Sequence, residues 1–207
     1  MKLYSIHYAL LTLLFIPLYT LSKTQLLPSP TPDLLKREDF IQVMPKHGIV
    51  AEIGVQTGEF AELILKHAQP KHLYLIDCWE HQNTDVYNGG SNWPQEQQDS
   101  NYATVIKKFG HLPNVTIIKA YTPQAAELFE DNFFDWVYID ANHSYDAVKQ
   151  DLRAWYKKVK IGGLLSGHDY IKHAGVVPAV NEFLRLHNLE LIYLTVTPPA
   201  NYAFMKK

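Results

Sequence analysis

Glu52-Ile53-Gly54-Val55-Gln56-Thr57-Gly58 is followed, nineteen positions after Gly58, by Asp77. Glycines at 54 and 58 permit a tight turn and let a ligand approach the backbone. A helix starting there offers free N–H groups, and an acid such as Asp77 can accept hydrogen bonds from the two hydroxyls of a ribose. Together these are the elements of nucleotide binding. Asp140, His143 and the pair His168-Asp169 supply carboxylates and imidazoles further along. Such groups can hold a divalent metal, and an imidazole with a pKa near 6.5 can take a proton at neutral pH. Each also has a plainer reading: glycines of an ordinary strand-to-helix turn, acids that hold loops, histidines that shape a turn.

The elements that must position these groups follow from the apolar pattern. Residues 48–53 read as a buried strand and 58–68 as an amphipathic helix ended by Pro70; Leu73 to Asp77 read as a second strand. A strand, a glycine turn, a helix and a strand ending in an acid form a nucleotide-binding βαβ unit. Dinucleotide enzymes carry G-x-G-x-x-G; here the pattern is E-x-G-x-x-x-G, with only two glycines. Before this unit, Asp33 to Met44 has helical spacing with Asp33 as N-cap. After it come a long polar, aromatic stretch from Trp79 to Ser100, a helix over 95–109, a strand over 114–120, a short helix over 123–129 and a strand over 134–140. A helix over 143–159 sets Val148, Leu152, Trp155 and Val159 on one face. Gly162-Gly163 turns into a strand over 164–166, and a helix over 176–187 precedes strands over 189–196 and 202–205 around Pro198-Pro199. Alternating strands and helices imply a mostly parallel sheet covered on both faces. The last two strands are too close for a parallel crossover and must be antiparallel. Ligands in such sheets bind at the carboxyl ends of the strands, where Gly54, Asp77, Asp140 and His168-Asp169 all fall.

The chain has 207 residues, a formal net charge of −2 and one cysteine. The balance gives no electrostatic case for nucleic acid, and Cys78 reads as a small buried apolar residue. Residues 1–27 stand apart: Lys2 precedes an apolar run from Tyr8 to Leu21, shorter than the ~20 residues of a comfortable membrane span. With Thr20-Leu21-Ser22 as a cleavage site, this segment is a signal peptide; uncleaved, it is an N-terminal membrane anchor. Residues 28–32, with Pro28, Pro30 and Pro32, form a stiff linker to a domain over 33–207. Positive charge flanks the apolar run on both sides, at Lys2 and at Lys23, Lys36 and Arg37. Cytosol-facing and exported or lumenal placements both stay open.

The glycine motif, with Tyr138-Ile139-Asp140-Ala141-Asn142-His143-Ser144-Tyr145-Asp146 and Lys160-Ile161-Gly162-Gly163-Leu164-Leu165-Ser166-Gly167-His168-Asp169-Tyr170, resembles the class I S-adenosylmethionine (SAM) methyltransferases. Within them it is similar to the small-molecule enzymes of the macrocin O-methyltransferase and cephalosporin-hydroxylase-like group, from about Val43 to the C-terminus. The resemblance implies a Rossmann-like α/β fold, a mostly parallel seven-stranded sheet with a C-terminal antiparallel hairpin and helices on both faces. It implies SAM as cofactor, with Glu52 near the methionyl amino group and Gly54 and Gly58 against the backbone. Asp77 would then hold the ribose, Trp79 would pack near the adenosine, and Tyr121 and Thr122 would lie beside the adenine, where the usual acid is absent. A divalent metal (Mg, Mn or another) would sit on Asp140, His168 and Asp169, although His168 replaces an acid and Tyr170 an asparagine, which disfavours Mg. His143 is the preferred base, with Asp140 and His168 completing the catalytic set. The acceptor is a hydroxyl of a small molecule or glycan, taken under the Trp79–Gln98 loop, where His81 is a further candidate ligand or base. A homodimer is implied by resemblance alone. Two other readings remain: a nicotinamide or nucleotide-sugar oxidoreductase on the same βαβ unit, and a membrane-tethered binding protein with a degenerate site. The missing third glycine weighs against the first, and the intact glycine turn with Asp77 against the second.

Overall fold

The computed structural model describes residues 37–85, 87, 89–170, 175–195 and 200–207. The N-terminal apolar segment, the proline linker, the Asp33 cap, Asn88 and the Pro198-Pro199 turn lie outside the described residues. Among those described, no helix is long and apolar enough to cross a membrane.

Five strands run parallel. They are β1 (Ile49–Ile53), β2 (His72–Asp77), β3 (Val115–Lys119), β4 (Phe134–Ile139) and β5 (Val159–Gly167). Two more, β6 (Leu191–Leu194) and β7 (Tyr202–Met205), complete a seven-stranded sheet of order β3-β2-β1-β4-β5-β7-β6. β7 runs antiparallel to both its neighbours, β5 and β6. β1 is central and nearly continuously buried, as a strand covered on both faces must be.

Successive side chains of a strand point to opposite faces, and this divides the core in two. On one face Val50, Leu73, Leu75, Trp136 and Tyr138 pack with Phe40 and Ile41 of α1 (Arg37–Gln42) and Phe60 and Ile64 of α2 (Glu59–His67). Val105 and Phe109 of α3 (Gln95–Phe109) join them. On the other face Ala51, Ile53, Ile76 and Val137 pack with Ala125 of α4 (Thr122–Ala125), with Leu152 and Trp155 of α5 (Tyr145–Lys158), and with Val180 and Phe183 of α6 (Val176–His187). The Ser144 side chain caps α5 by accepting from the Ala147 N–H at 3.4 Å.

Two local expectations are revised. The helix expected over 123–129 is α4 followed by one 3₁₀ turn, Ala126–Leu128. β5 begins at Val159, directly after α5, not at Leu164. Opposite Phe134 and Trp136 its register jumps from Val159 to Leu164, so Gly162-Gly163 form an outward bulge inside the strand. The bulge is held by two backbone bonds to Lys206.

Candidate active site

The turn after β1 is built as its glycines require. Gly54 has φ 87° and Gly58, which caps α2, has φ 77°. A methyl group on Gly54 would stand 2.0 Å from the Asp140 carbonyl oxygen, and one on Gly58 would stand 2.4 Å from the Phe109 ring. The loop between them is braced from β2. Oδ2 of Asp77 accepts from the backbone N–H groups of Val55 (2.8 Å) and Gln56 (2.9 Å), and Oδ1 accepts from that of Trp79 (3.0 Å). Asp77 therefore shapes the loop whose cavity it also lines. Trp79 requires a correction. It was expected to pack near the adenosine, yet it is fully buried, stacks at a tilt on Tyr102 and donates its indole N–H to the Gln56 carbonyl at 2.9 Å. It supports the loop from behind and is not part of the cavity wall.

The cavity, about 440 Å³, opens at the carboxyl ends of β1, β2 and β4. Glu52, Gly54, Asp77, Tyr121, Thr122, Asp140 and His143 all contribute to its wall. Glu52 is 2 % exposed and its Oε2 has no hydrogen-bond partner, so desolvation pushes its carboxyl well above the usual range. Beside it lies Arg37, which in the sequence stands only as one of the charges flanking the apolar run. Arg37 packs its guanidinium 3.9 Å from the centre of the Phe60 ring and donates at 2.8 Å to both Tyr138 Oη and Asp140 Oδ2. Its buried Nε is unpartnered. The signal for it was its spacing, three and four residues before Phe40 and Ile41 on the buried face of α1.

Asp140, His143, His168 and Asp169 converge from the ends of β4 and β5. His143 lies between the two carboxylates, with Nε2 3.2 Å from Asp140 Oδ1 and Nδ1 3.1 Å from Asp169 Oδ2. His168 Nδ1 is 3.5 Å from Asp140 and 3.6 Å from Asp169. Asp169 takes a left-handed backbone, φ 57°. These contacts override the desolvation that opposes charge on each group. The histidine contacts hold Asp140 well below the usual carboxylate range, and His168 keeps Asp169 low. The carboxylates raise His143 and push His168 up to about 9. The trio whose donor atoms all lie within 4.8 Å of one another is Asp140, His143 and Asp169. The expected metal set used His168 in place of His143. His168 does not reach the cavity wall, whereas His143 does.

Over the cavity, the segment between β2 and α3 is cross-braced. Asn92 accepts from the Gln82 N–H and donates to the carbonyls of Gln82 and Tyr87. The His81 ring lies 3.0 Å from the Trp93 carbonyl, away from the wall, while Gln82, Tyr87, Ser91 and Gln98 face it. Trp93 on the same segment is 43 % exposed. Tyr121 donates to Glu80 at 2.9 Å, tying this segment to the end of β3.

A glycine turn braced by a strand-end acid, at the carboxyl ends of this strand order, defines a nucleotide-cofactor enzyme of the methyltransferase type. Residues 51–170, more than half of the chain, match the family described as methyltransferase domain. The chain belongs to that family, within the class I SAM-dependent methyltransferases. Similar solved structures include a Streptococcus mutans protein classed as a methyltransferase, in complex with S-adenosylhomocysteine (16% identity, 84% of this chain, 100% of that chain, TM-score 0.57). An rRNA methylase of Streptococcus thermophilus is similar over 82% of this chain and 93% of its own, with 15% identity and TM-score 0.55. Spermidine synthase of Thermotoga maritima is similar over 83% of this chain, which spans only 57% of that enzyme, with 17% identity and TM-score 0.53. No curated protein matches the chain.

The bracing role of Asp77 sets an expectation. In Asp77→Ala three backbone N–H groups lose their acceptor together with any ribose contact. Affinity for S-adenosylhomocysteine should fall about 10- to 150-fold, the scale of hydrogen bonds to a charged group. Calorimetric titration reads this directly, and unchanged affinity would remove Asp77 from the site.

Proposed function

We propose that the protein transfers the methyl group of SAM to a hydroxyl of a small molecule or glycan. The observation that carries this reading is the position of His143. It stands on the wall of the cavity that holds Glu52, Gly54 and Asp77, between the carboxylates of Asp140 and Asp169. In the transfer the acceptor oxygen attacks the methyl carbon in line with sulfur. The O–C bond forms as the C–S bond breaks, its electron pair goes to sulfur, and the product is neutral S-adenosylhomocysteine. The hydroxyl proton passes to His143. Asp140 and Asp169 orient the ring and stabilise the imidazolium that forms. With both nitrogens facing carboxylates, His143 has its pKa raised above the ordinary histidine value. It acts as base only in the fraction that has lost a proton.

Two carboxylates and an imidazole also suit a borderline divalent ion such as Mn or Zn better than Mg. Asp140, His143 and Asp169 would hold it, in competition with Arg37 and the histidine protons. Bound there, such an ion would lower the pKa of an acceptor hydroxyl. Gln82, Tyr87 and Gln98 suit a polyhydroxylated acceptor, since amides bond hydroxyls and rings stack on apolar sugar faces.

The test is methyl transfer from labelled SAM by the full chain, with and without Mn, to a panel of monosaccharides, phenols and primary amines. Labelled ethers are expected. Labelled amines without ethers would overturn the hydroxyl assignment.

A further inference from the structure

Asp151 plays no part in the transfer described above, yet its placement is unusual. It sits on α5 with 1 % exposure, among Val148, Leu152 and Trp155 on the buried face. An apolar side chain would satisfy that position. Asp151 Oδ1 accepts from the Thr122 hydroxyl at 2.8 Å, and that hydroxyl accepts from the Trp155 indole N–H, also at 2.8 Å. Oδ2 is buried and has no hydrogen-bond partner, and among the described residues no cation pairs with Asp151. Burial raises its pKa to about 7. A carboxyl group kept in such a place is costly unless something bonds to it.

Its place in the cavity says what that something is. Asp151 is part of the wall of the same cavity as Asp77. A nucleoside whose ribose lies on Asp77, at the end of β2, has two directions in which to extend. Towards β1 and β4 lie Glu52, Arg37 and the Asp140 cluster, which suit a zwitterion and the reacting methyl group. Outward lies β3, the neighbour of β2 at the sheet edge, followed by Tyr121 and Thr122, and this is the direction left for the base. Neither Tyr121 nor Thr122 offers a carboxylate. Asp151 reaches the same point from α5, in contact with Thr122, with a free acceptor atom. The 6-amino group of adenine is a donor that requires an acceptor when buried.

Resting on the methyl-donor reading, we infer that Asp151 Oδ2 accepts a hydrogen bond from the exocyclic amino group of the cofactor's adenine and sets specificity for that base. The experiment compares calorimetric affinities of the full chain for S-adenosylhomocysteine and S-inosylhomocysteine, in which a carbonyl replaces the amino group. The wild type should prefer the adenosyl compound by about 10- to 100-fold, because a buried acceptor left facing a carbonyl goes unsatisfied. In Asp151→Ala that preference should shrink to within about threefold, chiefly through loss of affinity for the adenosyl compound. In Asp151→Asn the single acceptor oxygen is taken by the Thr122 hydroxyl and the amide N–H groups face the base, so the preference should be lost or turn towards the inosyl compound. Thr122→Val, which removes the bonds to Asp151 Oδ1 and to the Trp155 indole but leaves Oδ2 in place, should keep it. Should the alanine variant fail to fold, Asp151→Leu fills the position with an apolar group and gives the same reading. Equal weakening of both ligands in Asp151→Ala, with the ratio intact, would reduce Asp151 to a prop for Thr122 and overturn the inference. A folded wild type that binds neither ligand would instead overturn the methyl-donor reading, and the role of Asp151 with it.

Discussion

Gly54→Ala should abolish binding of S-adenosylhomocysteine and destabilise the fold by about 3 to 5 kcal/mol, the range of a severe steric lesion. Two effects combine. At φ 87° an L-residue is strained, and its Cβ would lie 2.0 Å from the Asp140 carbonyl oxygen and 2.5 Å from the carbonyl carbon. Neither atom is the end of a flexible side chain, so β1 and β4 must part at the site. For a chain of this size the melting temperature should drop on the order of 10 °C. Gly162→Ala separates the two causes. Gly162 has φ 78°, but its added methyl would meet nothing within 4 Å. That variant should lose about 1 kcal/mol, the strain alone, and bind normally. Thermal unfolding of the pair decides the matter: equal losses would show that the close approach of the two strands is not what requires glycine.

His143→Asn should lower kcat about 10²- to 10⁴-fold, the usual contribution of a positioned general base, while leaving affinity for S-adenosylhomocysteine nearly unchanged. The variant keeps a polar group near Asp140 and Asp169 but cannot take the proton. The wild-type rate should also depend on pH in a definite direction. The two carboxylates raise His143 above its ordinary value of 6.5, and a base works only when deprotonated. The rate should therefore climb with pH through a point above 6.5, and the residual rate of the variant should lack that climb. A variant with wild-type kcat at saturating methyl donor would exclude His143 as the base and leave it a purely structural bridge.

The glycine turn and the acids at strand ends were legible in the sequence because each depends on local rules. Glycine is favoured at 54 and 58 by the positive φ and the close contacts there, and apolar spacing places strand ends within a residue or two. The whole strand succession was readable for the same reason. What escaped was set by tertiary contact. Arg37 looked like one of several flanking cations until α1 folded it over Phe60, between Glu52 and Asp140. Asp151 sat in plain view on an apolar helix face, three residues after Val148 and four before Trp155, but nothing local says what a buried acid will touch. His143 and His168 were both visible, yet which one bridges the carboxylates and which reaches the cavity depends on how β4 and β5 are aligned. Trp79 was misplaced because a position after a strand end fixes proximity to the loop but not the side of the loop. The start of β5 was misjudged because two glycines read as a turn, whereas the bonds to Lys206 keep them inside the strand as a bulge.

The distribution of the four tryptophans has an optical consequence. Trp79, Trp136 and Trp155 are fully buried, and only Trp93, on the segment above the cavity, meets solvent. Red-edge emission and collisional quenching by iodide therefore come almost entirely from one indole, while three shielded ones supply a constant blue background. The protein thus carries a native fluorophore on the segment that supplies Gln82, Tyr87 and Ser91 to the cavity wall, and any change in that segment on adding a ligand would be read in stopped flow without attaching a dye.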